Sequence, residues 1–526
     1  MPAGRSCEMT RMRNRLWRRS LMLLMAAHGA VAAAGPVPVQ IPADDPGIRY
    51  IGRVDDRDAL APAFGWPSSA IVANFQGTSI QARFDDEKGK NLLQIIVDGG
   101  TPTVLALDKG VAQYTLASGL AEGTHRVEVV KRTEGYFGAI RFLGFQLDAG
   151  HRLAAPAPRQ RLKIEFYGDS NVAGYSSESI GDVGQPRFEN NYFAYPGIAA
   201  RMLDAEYQCM GWSGATIAPG SSLPVQSFWN RVLPQDSNLL WDFSRFDADV
   251  VVINVGSNDS YDGDNRDAVM AGWQDLITNH IRVVHPRAHV VLADSYGWSF
   301  DEPANYLDDM VQRLHAQGDL NVSSVRWPWL WGQAHAVVEE QAGFANVLAP
   351  HIAQQLGLPA PTPSPLSSFA GPGRLFNPSF EVVPVGQGRA QQAAGWREGV
   401  TPGASVSVVT DAASAAAGAR YVQLQVRGSG AAKVWQAMDV QPGRTYTLKG
   451  QARGTAGRKA QMQIVFKDQG QNVIARSLGV VTLGDRWAPA VTSATAPPGA
   501  WSVNVQLRLA NKHTSAMFDA LTLSSH

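Results

Sequence analysis

Cysteine is nearly absent: the 526-residue chain has two. Cys7 falls in the arginine-rich N-terminus, which leaves Cys209 alone in the remainder. A disulfide framework and a structural zinc site are thereby excluded. The apolar setting of Cys209, ahead of Gly211, predicts a small buried hydrophobe rather than a nucleophile. Net charge is also absent, because 46 basic residues balance 46 acidic ones. No stripe or run of Lys and Arg survives beyond the N-terminus, which argues against nucleic acid and anionic membrane as partners. Apolar runs of about 18 residues, the length that spans a bilayer, are missing too. The chain is expected to be soluble and monomeric.

The N-terminus has the pattern of an export signal. Arg11, Arg13, Arg15, Arg18 and Arg19 form a positive region, Leu21 to Ala34 a short apolar core, and Ala32-Ala33-Ala34 a small-residue cleavage site. Residues 1–34 are therefore expected to be removed from a secreted or periplasmic protein. Their removal leaves 40 basic against 45 acidic residues, a net charge of −5.

A 45% hydrophobic, 17% charged chain of this length suggests several domains. From 35 to 155, short alternating runs such as Ile71 to Phe75, Leu93 to Val97 and Arg126 to Val130 are separated by Gln76-Gly77, Asp98-Gly99-Gly100 and Glu122-Gly123. That rhythm predicts an antiparallel β-sandwich. From 156 to 358 the pattern changes to an α/β domain with a parallel sheet. Val250 to Ile253 and Val290 to Ala293 read as strands buried on both faces. Val269, Trp273, Leu276, Ile277 and Ile281, and later Phe344, Val347, Leu348 and Ile352, recur at helical spacing. Residues 359–373, with Pro359, Pro361, Pro363, Pro365, Gly371 and Gly373, predict an extended linker. Strand-like runs return from 374 to 526 and predict a second all-β domain.

Three polar turns in the middle region carry the candidate chemistry. Gly168-Asp169-Ser170 follows an apolar strand, where open α/β sheets place their sites; the same residues also suit a helix cap. Gly256-Ser257-Asn258-Asp259 follows the next buried strand, and the Asn258 carboxamide there can donate to an oxyanion, although such a turn also simply ends a strand. Ser213-Gly214 lies between them. His335, in a loop before the last helix, is the candidate base, ahead of His315 and His351, which fall within helical stretches. A serine hydroxyl needs such a base within hydrogen-bond reach.

Gly168-Asp169-Ser170, Gly214, Gly256-x-Asn258-Asp259 and a late histidine resemble the four blocks of the GDSL, or SGNH, hydrolases. Upstream, Gly52-Arg53, Phe75 to Thr78, Val97-Asp98-Gly99, Gly123-Thr124-His125, Lys131-Arg132-Thr133-Glu134 and Gly144-Phe145 extend the resemblance to carbohydrate esterase family 2 over residues 45–358. The resemblance implies a jelly-roll sandwich ahead of an SGNH domain, and deacetylation of acetylated plant polysaccharide such as xylan or glucomannan. It implies Ser170 as nucleophile, His335 as base, and an oxyanion hole from the N–H groups of Ser170 and Gly214 with the Asn258 side chain. One departure stands out. Many relatives carry an Asp two or three residues before the histidine, where this chain has Gln333 and Gly332. A Ser–His dyad oriented by a backbone carbonyl is expected instead, with no catalytic cofactor.

Trp327, Trp329 and Trp331 alternate before His335, as strand residues sharing one face would, either as a sugar platform or as core. Trp212 and Trp331 are taken as substrate-binding candidates. The C-terminal segments Asn377 to Glu381, Gly395-Trp396, Trp435-Gln436, Pro442-Gly443 with Tyr446, and Phe518-Asp519 resemble family 4/9/22-type carbohydrate-binding modules over 374–526. That resemblance implies a structural calcium held by Glu381 and Asp519, and sugar stacking on Trp396, Trp435 or Trp487. Two other functions remain open on sequence: a lipolytic or aryl esterase on the same scaffold, and a non-catalytic carbohydrate-binding protein.

Overall fold

The computed structural model describes residues 37–156, 158–179, 183–262, 266–293, 306–327, 335–367, 375–385, 389–468 and 472–526. Pro38–His526 form one compact unit. The N-terminal signal pattern lies outside the described residues.

The alternating runs near the N-terminus become two antiparallel sheets. One has six strands, among them Ile140–Leu147 between Ala63–Phe64 and Ile80–Asp86; the other has five, with Thr124–Lys131 between Ala70–Gln76 and Leu92–Val97. Along Ile80–Asp86 burial alternates, as a strand with one covered face requires. Ile80, Ala82 and Phe84 meet Ile71, Phe75, Val127 and Val129 of the other sheet in one core. On the outer face of the five-stranded sheet, Ala70, Ile96 and Val130 pack with Tyr192 of the following region.

That region builds a five-stranded parallel sheet. Its spatial order is Ala205–Gly211, Leu162–Gly168, Val250–Asn254, His289–Ala293 and Val322–Val325. Val250–Asn254 is buried at every position, as its unbroken apolar run predicts. The helix Arg266–Asp275 runs on into a π-turn over Leu276–Ile281 and buries the apolar positions the spacing picked out. The helix Val338–Gln355 closes the other face, burying Phe344, Leu348 and Ile352 beside Ile198 and Ala199 of the helix Tyr195–Met202.

Chain order in this sheet reverses between the first strand, Leu162–Gly168, and the third, Val250–Asn254. The carboxyl ends of those two strands border the crevice where doubly wound sheets take their ligands.

Within the proline-rich run, the described residues up to 367 carry no helix or strand. Asn346 clasps it to the last helix: Ser364 N–H donates to Asn346 Oδ1 at 2.7 Å and Asn346 Nδ2 donates to Ser364 O at 3.3 Å. Beyond it, ten strands from Arg397 to Ser525 form two antiparallel five-stranded sheets over a shared core of Val422, Leu424 and Phe518 from one and Val434, Met462 and Leu507 from the other.

Candidate active site

The nucleophile turn is dictated locally. A Cβ at Gly168 would lie 2.1 Å from the carbonyl oxygen of Asn254, so only glycine lets the two strands end this close. Asp169 then caps the four-residue helix Ser170–Ala173 by accepting from Asn171 N–H, and Gly174 ends it at φ +84°. Cap and nucleophile are thus not rival readings: Asp169 caps, and Ser170 opens the helix with an N–H that the helix cannot satisfy internally. Ser170 Oγ sits 2.8 Å from His335 Nε2. The imidazole packs against Tyr175, ring centroids 4.7 Å apart.

Asp169 is fully buried, and burial pushes its carboxyl above the ordinary range. The Asn171 N–H, the Ser257 hydroxyl at 2.9 Å and the charge of a protonated His335 oppose that shift. Ser257 opens the neighbouring helix Ser257–Asp262, so the same hydrogen bond ties the nucleophile turn to the Asn258 turn. On the far side of Asn258, Asp259 accepts from Ile217 N–H at 2.9 Å and Ala218 N–H at 2.7 Å. Asn258 Nδ2 itself donates to Ala215 O at 2.8 Å, one residue past Gly214, whose φ of +83° suits glycine alone. The turns bearing Ser170, Gly214 and Asn258 therefore lock together at one sheet edge.

A support from the N-terminal region completes the site. Glu134 accepts from Ser213 N–H at 2.8 Å and Ser213 Oγ at 2.9 Å. Its own N–H donates to Glu189 Oε2 at 3.0 Å. Burial holds both carboxyls above their ordinary range, Glu189 the further. Lys131, buried beside them and donating to the Thr133 and Glu134 carbonyls, is pushed down to about 7 by the same loss of water. Arg132 Nη2 reaches Glu178 Oε2 at 2.6 Å. Ser177 O in turn accepts Val338 N–H at 2.9 Å, three residues past His335.

Sequence reasoning quoted Lys131 to Glu134 only as part of a resemblance and missed this bracing role. Charges inside an otherwise apolar strand end were the available signal. The Asp169–Ser257 bond was missed as well.

Other candidates land differently. Gln333, Gly332, Trp329 and Trp331 lie outside the described residues. Trp327 follows the end of the Val322–Val325 strand and is core, stacked on Phe344 at 5.0 Å. Trp212 is half-buried, against Phe228 at 5.4 Å and Trp66 of the N-terminal region at 5.9 Å. His351 is tied to Ser323 Oγ at 2.8 Å, away from Ser170. Cys209 is buried, its thiol pushed up to about 12 by loss of water.

Glu381 and Asp519 do come together, as the calcium expectation requires, but their surroundings do not fit a calcium. Glu381 Oε1 accepts from Ala419 and Arg420 N–H, both at 2.9 Å. Asp519 Oδ2 accepts from Ala416 and Ala417 N–H at 2.8 and 2.9 Å. Calcium needs a cage of oxygens, whereas here N–H donors point at the carboxylates. Among the described residues no group of three or more His, Cys, Asp or Glu side chains could hold a metal. Of the C-terminal tryptophans, Trp396 is core, with its N–H on Asn377 O at 3.1 Å. Trp435, in the strand Ala432–Asp439, and Trp487, just before the strand Ala488–Thr495 of the other sheet, are half-buried.

A parallel sheet of this order, with a serine hydroxyl and an imidazole in contact at its switch point, defines an α/β ester hydrolase of the GDSL type. Residues 166–352 match the GDSL-like lipase/acylhydrolase family, and residues 50–158 match the carbohydrate esterase 2 N-terminal family. The chain belongs to carbohydrate esterase family 2. It is 35% identical over 297 residues to the cellulase/esterase CelE of Acetivibrio thermocellus, a match covering 54% of this chain and 36% of that protein. The chain thus spans about a third of that larger relative. An acetylxylan esterase / glucomannan deacetylase of Cellvibrio japonicus is 26% identical over 326 residues, covering 60% of this chain and 90% of that one. A family two carbohydrate esterase of Clostridium thermocellum, solved in complex with cellohexaose, superposes with a TM-score of 0.56 at 31% identity, covering 59% of this chain and 99% of that one. Both family matches end before the C-terminal pair of sheets.

Proposed function

We propose that this chain is a secreted carbohydrate O-deacetylase that removes acetyl groups from plant polysaccharide of the xylan or glucomannan type. The observation that carries the reading is the 2.8 Å contact between Ser170 Oγ and His335 Nε2 at the sheet's switch point. His335 takes the Ser170 proton as Oγ attacks the acetyl carbonyl. The tetrahedral oxyanion meets the N–H groups of Ser170 and Gly214 and the carboxamide of Asn258, whose Nδ2 carries a second hydrogen besides the one on Ala215 O. His335 returns the proton to the departing sugar hydroxyl. Water, activated by the same imidazole, then releases acetate from the acetyl-enzyme. Support for the sugar substrate comes from the family and from the names of its characterised members, and Trp212 stands beside the Gly214 turn as a wall for the sugar.

The two N-terminal sheets over one core are read as the family's jelly-roll sandwich. The C-terminal pair of sheets is read as a carbohydrate-binding module that keeps the esterase on its polymer. Acetate release from acetylated xylan and glucomannan tests the assignment. Ser170→Ala and His335→Ala are each expected to abolish it. Asn258→Ala should lower kcat about 10²–10³-fold. Full acetate release by Ser170→Ala would refute the mechanism. Octanoate esters hydrolysed faster than acetate esters would favour a lipolytic enzyme instead.

A further inference from the structure

Across the outer face of one C-terminal sheet, paired residues share a side. Arg397 pairs with Trp435, Trp435 with Gln506, and Gln506 with Gln463. The next row runs Gly399, Lys433, Arg508, Gln461. The alternate residues Val434, Leu507 and Met462 fill the core, so these two rows face outward.

The indole of Trp435 is half-buried, and the Lys433 ammonium lies 4.3 Å and the Arg397 guanidinium 5.9 Å from its ring centre. A Cβ at Gly399 would come within 2.8 Å of Lys433 Cε and 3.1 Å of the Trp435 ring, so glycine is what seats both side chains. Beyond the ring, Gln463 Nε2 donates to Gln461 Oε1 at 2.7 Å, and Arg508 Nη1 donates to the same oxygen at 3.2 Å.

Arg397, Lys433 and Arg508 therefore cluster beside this ring, with Lys467 in electrostatic reach of the first two. Among the described residues none of Arg397, Lys433 and Arg508 forms an ion pair with a carboxylate, although the chain as a whole is balanced in charge. Burial and the neighbouring Arg508 and Arg397 lower the Lys433 ammonium below its ordinary pKa, a cost that an incoming anion would relieve.

We propose that this face binds an acidic polysaccharide, with a uronate sugar stacked on Trp435 and its carboxylate held by Lys433, Arg397 and Arg508. An indole offers a flat apolar surface to the C–H face of a pyranose. The half-buried Gln461 and Gln506 offer amide groups to the hydroxyls. A guanidinium matches a carboxylate with two parallel hydrogen bonds. A neutral glucan or mannan would use the indole and amides but leave three unpaired cations under it. Nucleic acid is the less favoured occupant, because the cations form a patch beside one ring rather than a track for successive phosphates.

This inference rests on reading the C-terminal sheets as a carbohydrate-binding module, and the test separates the two. The full chain carrying Ser170→Ala, so that substrate turnover plays no part, is run by affinity electrophoresis through gels of polygalacturonate, glucuronoxylan, neutral glucomannan and duplex DNA. Retardation by the two uronate polymers is expected, weakening steeply between about 50 and 200 mM salt. Trp435→Ala should weaken that retention about tenfold or more, and Lys433→Gln should weaken it while leaving the ring in place. Retention by neutral glucomannan alone, insensitive to salt, overturns the acidic specificity and leaves the module. No retention by any polysaccharide overturns both. Equal retention by DNA overturns the sugar assignment. Both substitutions point away from the core, so unchanged melting temperatures will show that the fold is intact.

Discussion

Glu134 holds Ser213 by both its N–H and its hydroxyl, at 2.8 and 2.9 Å, and Ser213 is the residue immediately before Gly214. The N-terminal region thus sets the turn whose amide is assigned to the oxyanion. An oxyanion donor acts only if it is fixed before charge develops. Glu134→Gln keeps the shape but turns one acceptor into a donor that faces Ser213. A fall in kcat of about tenfold to a hundredfold is expected, with little change in KM. Steady-state kinetics on 4-nitrophenyl acetate decide it. A variant with a lowered melting temperature and unchanged kcat would make Glu134 structural only.

Arg53 fixes the N-terminal region to the parallel sheet in the same manner. Its side chain is fully buried and donates to Tyr167 Oη at 2.9 Å, Gln208 Oε1 at 3.0 Å and Trp229 O at 2.6 Å, with Glu165 Oε1 at 3.4 Å. Removing one partner of a buried pair strands the other charge, at a cost of about 3–5 kcal/mol. Arg53→Ala should therefore melt well below the parent. Arg53→Lys should recover little, since an ammonium cannot reproduce the planar fork. Thermal denaturation of both variants checks this; a lysine variant as stable as the parent would show that charge alone suffices.

The parts of the fold written in local pattern were legible. The unbroken run Val250 to Ile253 announced a strand covered on both faces, and Gly168-Asp169-Ser170 announced the turn that follows another. His335 was reachable because few histidines lay near the sheet's carboxyl edge. What depended on distant partners was hidden. Glu134 and Ser213 are separated by 79 positions, and nothing in either neighbourhood names the other. Glu165 in the middle of an apolar strand was a usable hint, because a buried carboxylate demands partners; those are Arg53, Tyr167 and His285. Of the two readings the alternating tryptophans allowed, Trp327 takes the core one: the strand ends at Val325, and the Trp327 ring stacks on Phe344. Spacing reports a face only while the strand continues.

Stability at mildly acidic pH should be limited by His289. Its ring bonds Ser323 Oγ at 2.8 Å, and Ser323 also contacts His351 Nε2 at 2.8 Å. Burial first, then His351, Arg282 and His315, push the His289 pKa down to about 4, against the pull of Asp319. The folded value lies below the unfolded value of about 6.5, so the unfolded chain binds the extra proton. Folding stability is therefore intact above about pH 6.5 and is lost progressively as pH falls toward about 4. His351, lowered by burial, adds to the same slope. Melting temperatures from pH 7 to 4 should fall for the parent and fall less for His289→Gln. Equal slopes would assign the acid sensitivity elsewhere.

The carboxylates of Glu381 and Asp519 close the C-terminal domain by holding N–H groups of residues 416–420. Glu381 fixes the turn from one side: a Cβ at Gly418 would lie 2.3 Å from Glu381 Oε1, so glycine at φ +64° is required for the chain to pass. Asp519 fixes it from the other. Hydrogen bonds from N–H groups to a charged acceptor contribute about 1.5–3 kcal/mol. Glu381→Gln should therefore lower the melting temperature, since the neutral amide accepts the same two N–H groups more weakly. EDTA should leave the melting temperature of the parent unchanged, because N–H groups already occupy Glu381 Oε1 and Asp519 Oδ2. Differential scanning calorimetry with EDTA and then with added calcium makes the comparison direct. A parent destabilised by EDTA and restored by calcium would mean that the 416–420 turn exchanges its N–H contacts for carbonyl oxygens around an ion.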